Sequence, residues 1–88
     1  MWYVYVIKSK EHPFLYIGMT QDVETRLKEH NNGETQSTKA HRPYELKTYI
    51  TMPTSDKARK LEKYFKSGSG KTILKKRILA DEDLPKTK

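Results

Sequence analysis

The sequence predicts an α+β fold in the order β-β-α-β-α-α, with helices packed on a small antiparallel sheet. Three observations predict it. Residues 2–18, WYVYVIKSKEHPFLYIG, hold two apolar runs about a short polar link, the pattern of a hairpin. Residues 44–52 alternate apolar and polar side chains, as a half-buried strand does. Two later stretches, about 21–32 and 55–67, carry apolar residues at helical spacing and stop at Gly33 and Gly68.

The first run, Trp2 to Ile7, is β-branched and aromatic and has no helical period, so it reads as a strand. The second, Phe14 to Ile17, is closed by Gly18, and Pro13 sits at its start, where a missing donor does no harm. A turn over Ser9 to Pro13 sets Tyr5 roughly opposite Tyr16. Side chains alternate, so Tyr3, Tyr5 and Ile7 share one face of the first strand, and Phe14 and Tyr16 one face of the second. Two phenols are thus expected on one side of a rigid hairpin.

Thr20 or Asp22 can cap the first helix. At about 100° per residue, Val23, Arg26, Leu27 and His30 gather on one arc of it. Arg26 and His30 therefore lean toward the sheet, one turn apart. Residues 33–43, GETQSTKAHRP, have no period and many turn formers, and read as a loop. In the third strand Tyr44, Leu46, Thr48, Ile50 and Met52 are expected on one face. Pro53 ends it, and Thr54 or Ser55 caps the second helix, whose apolar residues are Ala58, Leu61 and Phe65. A third helix is expected at about 71–79, with glycines 68 and 70 forming the turn before it. The whole reads as one domain over 1–80, followed by a frayed charged tail at 81–88.

Composition narrows the function. The 88 residues carry a net charge of +7, which draws polyanions, nucleic acid first among them. No stretch approaches membrane-spanning length. There is no cysteine, hence no disulfide or thiolate metal site, and Met1 runs straight into a strand without a signal peptide. The expected location is therefore the cytoplasm. Residues 68–72, GSGKT, imitate the end of a phosphate loop, but that motif needs a glycine where this chain has Phe65, and it follows a strand. His12, His30 and His41 lack the spacing of a zinc site.

Glu62 falls inside the apolar arc of the second helix. A carboxylate there needs a partner against the cost of desolvation. Either a nearby lysine bridges it, or it holds a hard cation such as magnesium. Arg26 suits a phosphate, because its planar fork donates two hydrogen bonds at once, and His30 can move a proton near neutral pH. The plainer alternative is a surface arginine and a packed histidine. Tyr5 and Tyr16 are core aromatics or working phenols. In the second case they need nearby positive charge from Lys8, Arg26 or a cation.

Tyr3-Val4-Tyr5, then Tyr16-Ile17-Gly18 ten residues on, then Arg26 and His30 on a helix and Glu62 on a later one, resemble the GIY-YIG nuclease family. YVY stands where the family has GIY, and the second triplet is literal. The stretches YIGMTQDVETRLKEHNNG and EKYFKSGSGKTILKKRIL are similar to small stand-alone members described as excinuclease-like. The resemblance spans about residues 2–79. It implies a three-stranded antiparallel sheet flanked by helices. It also implies hydrolysis of a DNA phosphodiester with one divalent ion, Mg2+ or Mn2+, in repair or recombination.

Carried over, Tyr5 and Tyr16 are the motif tyrosines, one of them a general base or water-orienting group. Arg26 stabilises charge on the phosphate, His30 assists proton transfer or holds a tyrosine, Glu62 binds the metal, and Gly18 leaves room beside the site. Where several relatives carry a lysine after the YIG triplet, this chain has Met19. DNA, branched or damaged, is the expected partner, with Lys39, Arg42, Lys63, Lys66, Lys71 and Lys75 against its phosphates. A protein partner that supplies specificity is also expected, because little surface remains beyond the site. The alternative is a non-catalytic module of the same fold that binds nucleic acid or joins a repair complex.

Overall fold

Strand β1 (Trp2–Ser9) lies at the centre of the sheet in the computed structural model, which describes residues 1–79. The expected tail at 81–88 falls outside the described residues. β1 pairs antiparallel with β2 (Leu15–Thr20) on one side and β3 (Tyr44–Met52) on the other, giving the order β2-β1-β3. Helix α1 is Val23–Asn31, α2 is Ser55–Lys66 and α3 is Gly68–Ile73. The α+β class, the element order and the three-stranded antiparallel sheet are those expected. No helix among the described residues is long and apolar enough to cross a membrane.

The unbroken apolar run of β1 follows from its place between two layers. Val4, Tyr5, Val6 and Ile7 are each at most 2% exposed. On one face, Val4, Val6 and Ile17 pack with Ala58, Phe65, Leu74 and Leu79, under α2 and α3. On the other, Tyr5, Ile7 and Tyr44 pack with Phe14, Tyr16 and Leu27, under α1. Each fully buried side chain of this size contributes roughly 1.5–3 kcal/mol.

Two details of register depart from expectation. Tyr5 pairs with Gly18, and Tyr16 with Ile7, so the tyrosines are diagonal neighbours and not opposite ones. The turn is centred later than predicted: the Ser9 amide donates to the Phe14 carbonyl, and the Ser9 hydroxyl accepts from the amides of Glu11 and His12. A slip of two residues keeps every side chain on its predicted face. In β3 the fault is different. Val6 pairs with Thr48 and Ile7 with Leu46, so Lys47 is an extra residue in a bulge. The bulge turns Tyr44 and Leu46 toward α1, while Ile50 and Met52 face α2. One face for all five was the expectation, and the bulge overturns it.

Caps set the helix ends. The Asp22 carboxylate accepts from the Thr25 amide and starts α1, and Gly33, at φ +78°, follows its end. Thr54 caps α2 by accepting from the Lys57 amide. Ser67 then ends α2 and starts α3 at once: its hydroxyl donates to the Tyr64 carbonyl and accepts from the Gly70 amide. Glycines 68 and 70 therefore lie inside α3, not in a turn before it. Position 70 must be glycine because a Cβ there would run into the Tyr64 carbonyl. After α3 the chain widens into a π turn over Leu74–Ile78, where the Leu79 amide donates to the Leu74 carbonyl. That extra residue lets Leu74 and Leu79 both reach the core and leaves Ile73 and Ile78 exposed. Within the expected loop, Lys39–His41 forms a single 3-10 turn.

Candidate active site

Tyr5, Tyr16 and His30 meet on the α1 face. Tyr5 reaches His30 because position 18, its neighbour across the strand pair, has no side chain: a Cβ there would stand 2.6 Å from the Tyr5 hydroxyl. The Tyr5 Oη is 2.8 Å from His30 Nε2. His30 Nδ1 is in turn 2.7 Å from Thr38 Oγ1. Both His30 and Thr38 are fully buried. The proton inventory follows from the next link. The Thr38 hydroxyl donates to the Thr35 carbonyl at 3.4 Å, so its oxygen accepts from His30 Nδ1–H. Nε2 then carries the lone pair and accepts from the Tyr5 hydroxyl. The Tyr44 hydroxyl donates to the Thr38 carbonyl at 2.7 Å and pins this end of the chain of bonds.

Asn31 fixes α1 against β3. Its side-chain oxygen accepts from the Tyr44 amide at 2.6 Å and its amide donates to the Tyr44 carbonyl at 3.2 Å. The last residue of α1 is thereby held next to the first of β3, with His30 between them and the hairpin.

Electrostatics distinguish the groups. Burial pushes the Tyr5 phenol up to about 12, while the Arg26 guanidinium beside it works in the opposite direction. Burial, and then the charge of Arg26, hold His30 below the usual imidazole range, so it is neutral at pH 7. Arg26 is half-buried, and Glu29 fixes it with a 2.8 Å ion pair that keeps it firmly protonated. Tyr16 lies with its ring centre 5.0 Å from that of His30 and 6.2 Å from that of Tyr5.

Glu62 arrives from the other layer. Its helix packs on the face of the sheet opposite the tyrosines. Its charge still raises the Tyr5 phenol slightly, a weaker influence than burial, Arg26 or Tyr16. Its side chain is 19% exposed and is bridged by Lys66 at 2.9 Å. The Lys66 ammonium also stands 5.8 Å above the Tyr16 ring. The structure thus contains the lysine bridge anticipated for a carboxylate on an apolar stripe, beside the phenols.

Among the described residues, no three His, Cys, Asp or Glu side chains gather as a metal cage. Glu62 is a single hard oxygen donor with partial access to water. That suits a magnesium-like ion, which keeps most of its waters and takes one or two carboxylates. Lys63, Lys66, Lys71 and Lys75 are exposed along α2, α3 and the π turn. Lys39 and Arg42 are exposed in the loop after α1, with the Arg42 guanidinium over Gly33.

Sequence reasoning missed Thr38, Asn31 and Glu29. Thr38 sits in the stretch without periodicity, and only its buried position identifies it. Asn31 and Glu29 carry the polar side of a helical pattern and have no signal of their own.

The sequence matches the GIY-YIG catalytic domain over residues 1–77. A UPF0213 protein of Staphylococcus saprophyticus is 36% identical over 74 residues, covering 83% of this chain and 89% of that one. A UPF0213 protein of Haloquadratum walsbyi is 37% identical over 81 residues, covering 91% and 86%. Among solved structures, the solution NMR structure of a UPF0213 protein from Bacillus halodurans aligns with a TM-score of 0.54 at 26% identity, over 99% of this chain and 100% of that one.

Proposed function

The chain belongs to the GIY-YIG nuclease family, and on that footing we propose that it is a divalent-metal-dependent endonuclease that hydrolyses DNA phosphodiesters. The observation that carries this reading is the run of hydrogen bonds from Tyr5 through His30 to Thr38, set beside Arg26. At a pKa of about 12, roughly one phenol in 10^5 is ionised at pH 7, so a free phenolate is too scarce to serve as base. The relay removes that need. Tyr5 takes a proton from the attacking water as it passes its own to His30 Nε2, and the resulting imidazolium keeps its Nδ1–H bond to Thr38. Arg26, held by Glu29, donates to the phosphate oxygens where charge accumulates. Tyr16 stands beside His30 on the β2 side. Glu62 would hold the divalent ion, with waters and the phosphate as its remaining partners. When bound, such an ion makes water more acidic and offsets charge on the leaving oxygen. Lys39, Arg42, Lys63, Lys66, Lys71 and Lys75 supply contacts to the DNA backbone. We place the activity in repair or recombination, in the cytoplasm and with a protein partner for targeting.

The test is cleavage of plasmid, flapped, branched and damaged DNA in Mg2+ or Mn2+. The wild type is expected to cut, and Glu62→Ala and Tyr5→Phe to lose at least about a hundredfold in rate. Equal rates from all three proteins would refute the assigned chemistry. A second reading, a non-catalytic nucleic-acid module, draws on the Lys66 bridge that occupies Glu62. It predicts salt-sensitive DNA binding without cleavage in any metal.

A further inference from the structure

A cleft opens on the same face of the sheet, beyond the tyrosine and histidine cluster. Its volume is about 550 Å3, within the range of small-molecule sites. Tyr3, Tyr49, Leu46, Leu27 and Val23 form its apolar and aromatic wall, and Gln21, Asp22 and Glu24 its polar rim. It exists because of the bulge at Lys47. In regular alternation Leu46 and Tyr49 would point to opposite faces. The extra residue brings both under α1.

Tyr49 is 51% exposed, unusual for so large an aromatic, yet its ring is fixed edge-on against Tyr3 with centres 5.6 Å apart. A half-exposed ring held against a neighbour is a ready stacking platform. The rim decides what can stack on it. Asp22 and Glu24 are acidic, on a chain of net charge +7, so this is the part of the surface a phosphate avoids. Both Asp22 oxygens already accept from Thr25. Glu24 and Gln21, on the exposed rim, are the groups placed to accept from an amino group of a ligand. An aromatic ring system carrying amino donors and no charge meets both conditions, and a nucleobase is such a group. The cleft also neighbours the proposed active site: Tyr49 is the direct cross-strand partner of Tyr5. Side chains so paired stand about 5 Å apart at Cβ, within one nucleotide of a phosphate bound beside Tyr5.

We propose that this cleft binds one unpaired nucleobase of the DNA, stacked on Tyr49 with Tyr3 against its edge, next to the phosphate to be cut. The proposal rests on the nuclease reading for the DNA, but its test does not. A base inside a duplex presents no free face, so the cleft selects DNA with an unpaired or displaced base. Bases bearing an exocyclic amine, such as adenine and cytosine, suit the acidic rim better than thymine.

The experiment titrates the full chain with deoxyadenosine, deoxycytidine, thymidine and inorganic phosphate, and follows NMR shifts. The first two nucleosides are expected to move Tyr49, Tyr3, Leu46 and Val23, with thymidine weaker and phosphate without effect there. Nuclease activity plays no part in this readout, so a failed cleavage assay leaves it standing. A companion measurement compares Tyr49→Ala and Tyr49→Phe for binding to DNA with and without a single-base bulge. Tyr49→Ala is expected to lose about tenfold or more of the preference for bulged DNA, and Tyr49→Phe to keep most of it. The proposal is overturned if nucleosides leave the cleft unmoved or if Tyr49→Ala weakens both DNAs equally. It is equally overturned if the cleft resonances move only with protein concentration, which would make a second copy of the chain the occupant.

Discussion

Replacing Gly18 by alanine tests the geometry that brings Tyr5 to His30. The new Cβ would stand 2.6 Å from the Tyr5 hydroxyl oxygen, 2.8 Å from Cζ and 3.0 Å from Tyr16 Cε2. Ordinary contact starts near 3.4 Å, so the phenol has to move by about 0.8 Å. Its ring is only 2% exposed and lies among Ile7, Tyr16 and Tyr44, so no free volume receives it. Overpacking of this kind costs about 1–3 kcal/mol. For a domain of this size that lowers Tm by roughly 5–20 °C. The same shift disturbs the 2.8 Å bond to His30, and misplacement on this scale costs on the order of a hundredfold in rate. Gly68→Ala is the control, since nothing lies within 4 Å of a Cβ there. Thermal melts and DNA cleavage on the two variants decide the matter. If Gly18→Ala melts and cuts like Gly68→Ala, the close approach of Tyr5 over position 18 is not what shapes the site.

Other perturbations follow from the same contacts. Thr38→Val keeps the shape but removes the acceptor of the buried His30 Nδ1–H, which costs about 1–3 kcal/mol by thermal melt; an unchanged Tm and rate would remove Thr38 from the relay. His30 has a depressed folded pKa, so its contribution to stability is present above about pH 6.5 and lost as pH falls below it. Denaturant melts across that range should show the loss in wild type and a flatter profile in His30→Gln. Tyr5 has the opposite sign: raised to about 12 by burial, it contributes stability below pH 10 that disappears as pH rises through the folded value. Tyr5→Phe should lack that alkaline loss, and an identical alkaline limb would contradict the shift. Lys66→Ala should change stability by under about 0.5 kcal/mol, as an exposed i,i+4 pair does. By releasing Glu62 it should also lower the Mg2+ concentration for half-maximal cleavage while weakening DNA binding; an unchanged metal requirement would show that the bridge does not compete.

What could be read from the residues was what local chemistry dictates. The unbroken apolar run of β1, the two cap candidates ahead of each of α1 and α2 and the stop at Gly33 each follow from a side chain and its near neighbours. So does the face shared by Tyr5 and Tyr16, because a two-residue error in the turn leaves strand parity intact. The lost information is of another kind. Lys47 looks like one more residue in an alternating strand, and only pairing with β1 reveals the bulge there. The π turn is equally silent, since Leu74 and Ile78 have ordinary helical spacing and Leu79 takes the buried place only once the turn widens. Glu62 was singled out correctly as a carboxylate on an apolar stripe. That it lies in the opposite layer from the tyrosines depends on how the helices pack on the sheet. Thr38 became visible only when the loop after α1 folded over His30.

In the proposed mechanism Tyr5 and Glu62, from opposite layers, act on one phosphate as a single unit. The most direct measurement is kcat/KM for DNA cleavage in a cycle of wild type, Tyr5→Phe, Glu62→Gln and the double variant. The predicted result is that the double variant is about as slow as the worse single one, because either change disables the same assembly. Losses that simply multiply would contradict it, and would mean that the phenol and the carboxylate serve separate sites.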